Sequence, residues 1–141
     1  MAITEAHAGR QYPPTAPYEV TAAKVAEFAA ALGDDDPRCT GAAAVAPPTF
    51  AAVLAAPAWQ ALFTDPELGL ALRRIVHGDQ RFELVRLLRV GDQVTATLTL
   101  DRVRTRGEAD IITASVALRT VADEALGTAT ATFFHSREVA A

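Results

Sequence analysis

The sequence predicts an α+β domain in which one antiparallel sheet wraps around a buried helix. Three observations carry this. Helical periodicity is confined to the first half of the chain, and period-two alternation fills the second. One helical stretch is apolar on nearly every side, so it must be enclosed rather than laid on a surface. The 141 residues suit one domain with its own core, so an apolar helix and a one-faced sheet must bury each other. We therefore expect one domain over 1–141, with an extended N-terminal arm at about 1–17.

The arm comes first. Residues 9–20 (GRQYPPTAPYEV) hold three prolines and read as extended chain ending in a short strand at Tyr18–Val20. Thr21 is the expected N-cap of a helix. Val25, Phe28, Ala29 and Leu32 follow at i, i+3, i+4 and i+7, an amphipathic stripe. Gly33 ends this helix, and Asp34-Asp35-Asp36-Pro37 forms a turn. Residues 38–46 are small and loop-like. Pro47-Pro48-Thr49 then opens the apolar stretch from Phe50 to Phe63, which places the buried helix at 48–63. Pro57 is expected to kink it or split it in two.

From Ile75 the period becomes two. Residues 75–88 form a first long strand. Val94, Ala96, Leu98 and Leu100 then alternate with threonines. Ile112, Ala114, Val116 and Leu118 mark a third strand, and Ala129, Ala131 and Phe133 a fourth. Turns fall at Val90-Gly91-Asp92, Arg106-Gly107-Glu108 and Ala122–Gly127. A sheet of this order closed around a central helix is the hot-dog fold. Such a sheet has an open edge, and pairing edge to edge with a second copy or a related subunit is the natural way to cover it.

Charge and cysteine content narrow the function. The formal net charge is -4, and Lys24 is the only lysine among thirteen cationic residues. That disfavours nucleic acid as a partner. Cys39 is the only cysteine, so no intrachain disulfide is expected. Met1 to Arg10 hold no apolar stretch, and no window approaches eighteen unbroken apolar residues. A cytoplasmic protein with no membrane partner is the expectation.

Four segments together resemble one family: GRQYPPTAPYEV (9–20), FAAALGDDDP (28–37), VAPPTF (45–50) and VHGDQRFELVRLLRVGDQVT (76–95). They resemble the MaoC-like dehydratases, and within them the small actinobacterial proteins related to the HadA-type (FAS1-like dehydratase) subunit of (R)-3-hydroxyacyl-ACP dehydratase. The likeness runs in order along nearly the whole chain, and the 76–95 block is its most specific part. The resemblance implies a hot-dog fold in a homodimer, or in a heterodimer with a second hot-dog subunit. It implies an acyl chain beside the central helix, carried as a thioester on CoA or acyl carrier protein. The implied reaction is reversible loss of water from a 3-hydroxyacyl thioester to the trans-2-enoyl thioester, with no metal and no redox cofactor.

Active members of that family carry G-D-x-N-P-[apolar]-H. Here the segment reads Gly33-Asp34-Asp35-Asp36-Pro37-Arg38-Cys39. Asp34 stands in the aspartate position and Cys39 in that of the histidine, which departs from the acid–base pair that water loss requires. The loop after Cys39 is also shorter than in relatives. Asp34 is either a site carboxylate or part of a solvated turn. Cys39 is either a wall of the substrate site or a small packed thiol, and no adjacent base in sequence activates it as a nucleophile. His77 is either a substrate-orienting group or replacement base, or a structural histidine at the dimer seam. His135, beside Phe133 and Phe134, reads as structural. Thr49 and Phe50 follow two prolines without N–H groups, so their amides are the first free ones of the buried helix and the expected thioester contacts. Trp59 is placed on the acyl tunnel or in the core. No spacing of histidine and cysteine fits a metal. Three function classes follow: a hydratase or dehydratase, a binding subunit whose partner supplies the catalytic pair, or a repurposed hot dog such as a thioesterase or a conjugate-addition enzyme.

Overall fold

Thr21 and Gly33 delimit the first helix as their chemistry dictates. The computed structural model describes residues 2–137; Met1 and residues 138–141, the two ends of the expected domain, lie outside the described residues. A two-residue strand, β1 (Tyr18–Glu19), leads into α1 (Ala22–Leu32). The Thr21 hydroxyl accepts from the Lys24 amide at 3.2 Å, and Gly33 closes the helix in the left-handed region at φ 71°. The arm ahead of β1 opens with one 3-10 turn, Glu5–His7, and then runs along the sheet. Its amides at Gly9, Tyr12 and Thr15 donate to the carbonyls of Leu100, Leu98 and Ala96.

A 3-10 turn at Pro48–Phe50 leads into α2 (Ala51–Phe63), the central helix. Pro57 does not split it: the helix is continuous through that position. Pro57 is exposed, so the Val53 carbonyl that it leaves without an amide partner lies on the wetter side of the helix. The opposite side, with Leu54, Ala55, Ala58 and Leu62, is buried.

Four long strands complete the chain: β2 (Ile75–Leu84), β3 (Gln93–Arg106), β4 (Ala109–Thr120) and β5 (Ala125–Ser136). The first is shorter than the expected 75–88, because the chain turns away after Leu84. All pairings are antiparallel, in the order β1-β3-β4-β5-β2. The sheet curls around α2. Its concave face supplies Leu98, Leu100, Ile112, Val116, Ala131 and Phe133 to one core with α2, while threonines and serines stand on the convex face. This is the hot-dog fold. Its two edges differ. The arm lies along β3 beside β1, whereas among the described residues β2 pairs only with β5.

Among the described residues, no helix is long and apolar enough to cross a membrane.

Candidate functional site

His77 sits on the concave face of the open-edge strand. It pairs with Phe133 of β5, which is buried against α2. Its imidazole meets Trp59 of α2 edge-on, with centroids 5.1 Å apart, and leans on Phe133 at 4.8 Å. Trp59 and Phe63 both pack on Phe133, at 5.9 and 5.0 Å. Despite these walls the histidine is exposed, because no strand lies beyond β2. His77 Nε2 is 2.9 Å from Oε1 of Gln80. The Trp59 indole nitrogen is buried, and no acceptor among the described residues meets it. A buried donor left unmet costs about 1–3 kcal/mol, so a site of this kind favours a ligand or water that accepts.

The other expected site residues lie elsewhere. Asp34 is exposed after α1, where its Oδ1 accepts from the Asp36 amide at 3.0 Å. Asp36 caps the 3-10 turn Pro37–Cys39 and pairs with Arg38 at 2.7 Å. The Arg38 guanidinium holds the Asp36 carboxyl below the usual carboxylate range. Cys39 is buried. Burial, and then the charges of Asp34 and Asp36, push its thiol up. It packs as a thiol in the hydrophobic core, and a raised pKa disfavours the thiolate that a nucleophile needs. Among the described residues, no hydrogen bond or ion pair joins Asp34 to His77. The fold sets His77 against Trp59, and it sets the Asp34 carboxylate near enough to Cys39 for its charge to act on the thiol.

The start of α2 corrects one expectation. The Phe50 amide is not free: it donates to the Pro47 carbonyl at 2.9 Å, because the chain enters through a 3-10 turn. The Phe50 ring is fully buried and meets Phe28 edge-on at 5.3 Å. Thr49 is exposed, and no carbonyl among the described residues accepts from its amide. Of the two, only Thr49 keeps an N–H to offer.

Sequence reasoning missed two polar groupings. One is the Gln80 partner of His77. The other is Asp110, which is 1% exposed. It takes Arg137 through two nitrogens, the Thr105 hydroxyl at 3.0 Å and His135 Nδ1 at 3.3 Å. The Ala71 amide donates to His135 Nε2 at 3.2 Å, so that imidazole carries its proton on Nδ1 and is fully engaged. These residues border a cavity of about 270 Å³, but every polar atom of the Asp–His pair is committed to the chain. His135 is structural, as expected. The alternation of strand ends gave no signal for Asp110, because its partners Thr105, His135 and Arg137 are gathered only by strand pairing.

With this geometry in place, comparison with known proteins is decisive at the level of family. The family model for the FAS1-like dehydratase domain region matches residues 6–129. The chain belongs to the FAS1-like dehydratase-region family. The UPF0336 protein of Cutibacterium acnes is 52% identical over 137 residues, covering 97% of this chain and 96% of its own. The UPF0336 protein of Streptomyces coelicolor is 42% identical over 121 residues, covering 79% and 81%. Among solved structures, the HadBC (3R-hydroxyacyl-ACP dehydratase) complex of Mycobacterium tuberculosis superposes with a TM-score of 0.79 at 26% identity, over 90% of this chain and 96% of that one. A MaoC-like dehydratase superposes at 0.84 with 26% identity, over 94% of this chain and 43% of that one. The resemblance seen in the four sequence segments is thus to the right family, and the two solved structures share the hot-dog fold described above.

Proposed function

We propose that this protein holds a 3-hydroxyacyl or 2-enoyl thioester alongside α2 and interconverts the two by loss and addition of water. The observation that carries the reading is His77. On a dehydratase-family scaffold that lacks the motif histidine, the fold still places an exposed, walled imidazole against the central helix. In the dehydrating direction a basic nitrogen of His77 takes the α proton, the C–O bond to the 3-hydroxyl breaks, and the imidazolium hands that same proton to the leaving oxygen, which departs as water. The Thr49 amide, which no carbonyl among the described residues accepts from, donates to the thioester oxygen as it gains charge. Asp34 and Cys39 shape the far wall, with Asp34 available to hold the water. The acyl group arrives on CoA or acyl carrier protein, and the reaction as written needs no cofactor.

The test follows enoyl absorbance with crotonyl and longer enoyl thioesters. Hydration is expected, and His77→Ala should lower it about 100-fold or more. No turnover of any enoyl-CoA or enoyl-ACP, alone or with a co-expressed hot-dog partner, overturns the reading.

A second reading is favoured by Cys39. With a buried, protonated thiol in the histidine position, the chain serves as the acyl-binding subunit of a heterodimer joined along the open edge of β2. Co-expression with a second hot-dog subunit then yields a complex whose activity survives His77→Ala.

A further inference from the structure

We infer that Gln80 is a positioning residue that fixes the tautomer of His77, and that the bulge at Gly78 is the device that brings the two together. The inference deepens the reading of His77 as a base, and it rests on that reading only for its kinetic part.

In a regular strand, residues three apart point to opposite faces. His77 and Gln80 are three apart, yet both lie on the concave face. His77 pairs with Phe133 and Gln80 with Ala131, two buried residues of β5. The register shifts between His77 and Asp79. The extra residue, Gly78, is absorbed by the bulge, so the alternation restarts in phase. Only glycine fits there, since a Cβ on Gly78 would lie 2.2 Å from the Phe134 ring.

The bulge lets Gln80 reach back to the imidazole. Its Nε2 donates to the Arg81 carbonyl at 3.3 Å. The reversed amide would set oxygen against oxygen, so Oε1 must be the atom that faces His77. An amide oxygen only accepts. His77 Nε2, 2.9 Å away, therefore carries the proton, and Nδ1 is left with its lone pair. A half-turn of the ring would set Cε1 in place of Nε2 against Oε1 of Gln80 and lose that bond. Gln80 on β2, Trp59 on α2 and Phe133 on β5, which the ring meets, carry no charge. An exposed histidine is ordinarily free to sample both tautomers. This one is held as a base at Nδ1, which is the preorganisation that proton abstraction needs.

The experiment reads the ring itself. Two-dimensional ¹⁵N–¹H spectra of the full chain, taken where the imidazole is neutral, should show His77 protonated on Nε2. Gln80→Leu removes the acceptor and should give a mixture of tautomers. Gln80→Glu keeps an acceptor oxygen and should restore Nε2–H. In enoyl-thioester hydration, Gln80→Leu should lower kcat about tenfold with KM within about twofold, and Gln80→Glu should recover part of it. A wild-type ring protonated on Nδ1, or spectra unchanged by Gln80→Leu, overturns the inference. If the wild type shows no turnover, the proposed activity falls, while the spectra alone still decide the tautomer.

Discussion

At the scale of single residues, the structure separates carboxylates that hold the fold from those free for chemistry. Asp110 is the clearest of the first kind. Burial pushes its pKa up, but bonds from Arg137, His135 and Thr105 outweigh burial and hold it below the usual carboxylate range. Removing it leaves His135 Nδ1 buried without an acceptor and Arg137 without its anchor. Asp110→Ala should therefore cost about 2–4 kcal/mol in urea unfolding. Asp34 is its opposite. It is exposed, and its carboxylate accepts from the Asp36 amide within the local turn. Asp34→Ala should leave stability within about 0.5 kcal/mol, so any fall in hydration rate belongs to chemistry. An unfolded Asp34→Ala protein would remove Asp34 from the site.

At the scale of elements, Pro57 and Gly78 show how local chemistry yields to packing. A proline inside a helix ordinarily costs about 3 kcal/mol relative to alanine. Here α2 stays whole around it because Leu54, Ala55, Ala58 and Leu62 are locked into the sheet on the other side. Pro57→Ala should restore the missing bond to Val53 and raise the unfolding free energy by about 1–3 kcal/mol; a lowered melting temperature would show that the proline shapes the helix for another purpose. Gly78→Ala should cost about 1–3 kcal/mol by overpacking. Part of that should return in the double variant with Phe134→Ala, since the clash is with that ring alone. These two positions also mark what was legible in sequence. The extent of α1 was, because its cap, stripe and glycine are all local. Strands β3, β4 and β5 were, because buried residues alternate along one face of each; the end of β2 was not, because none of its residues is buried. The His77–Gln80 pair was not, because residues three apart in a strand pattern read as facing apart, and only the bulge under Phe134 reverses that. The occupied Phe50 amide was not, because two prolines cannot tell a 3-10 entry from an α-helical one.

At the scale of the whole molecule, two buried carboxylates, Asp92 and Asp110, and one half-buried one, Asp65, tie segments that no single element holds. Asp65, after α2, accepts from the Tyr12 hydroxyl at 2.6 Å and from Arg10 at 2.8 Å, and so binds the arm. Asp92 takes both terminal nitrogens of Arg86 at 2.9 Å and the Arg89 amide, closing the turn before β3. Asp110 joins β4 to the end of β5. For Asp65 and Asp92, as for Asp110, burial raises the pKa and the hydrogen bonds more than reverse it, so all three lie below the ordinary range. The linkage has one sign. A carboxyl with a depressed folded pKa binds its proton more readily when unfolded. Its contribution is fully present above the unfolded value of about 4 and is lost as pH falls below that value through the folded one. The urea midpoint should thus be nearly flat between about pH 7 and 5 and fall steeply below about pH 4. Asp65→Asn should flatten that fall while lowering the midpoint near neutrality, because its bonds to the arm weaken at every pH. A midpoint that holds steady down to about pH 3, or an Asp65→Asn profile parallel to the wild type, would mean that the arm is held by its backbone bonds to β3 and that these carboxylates do not set the acid limit of the fold.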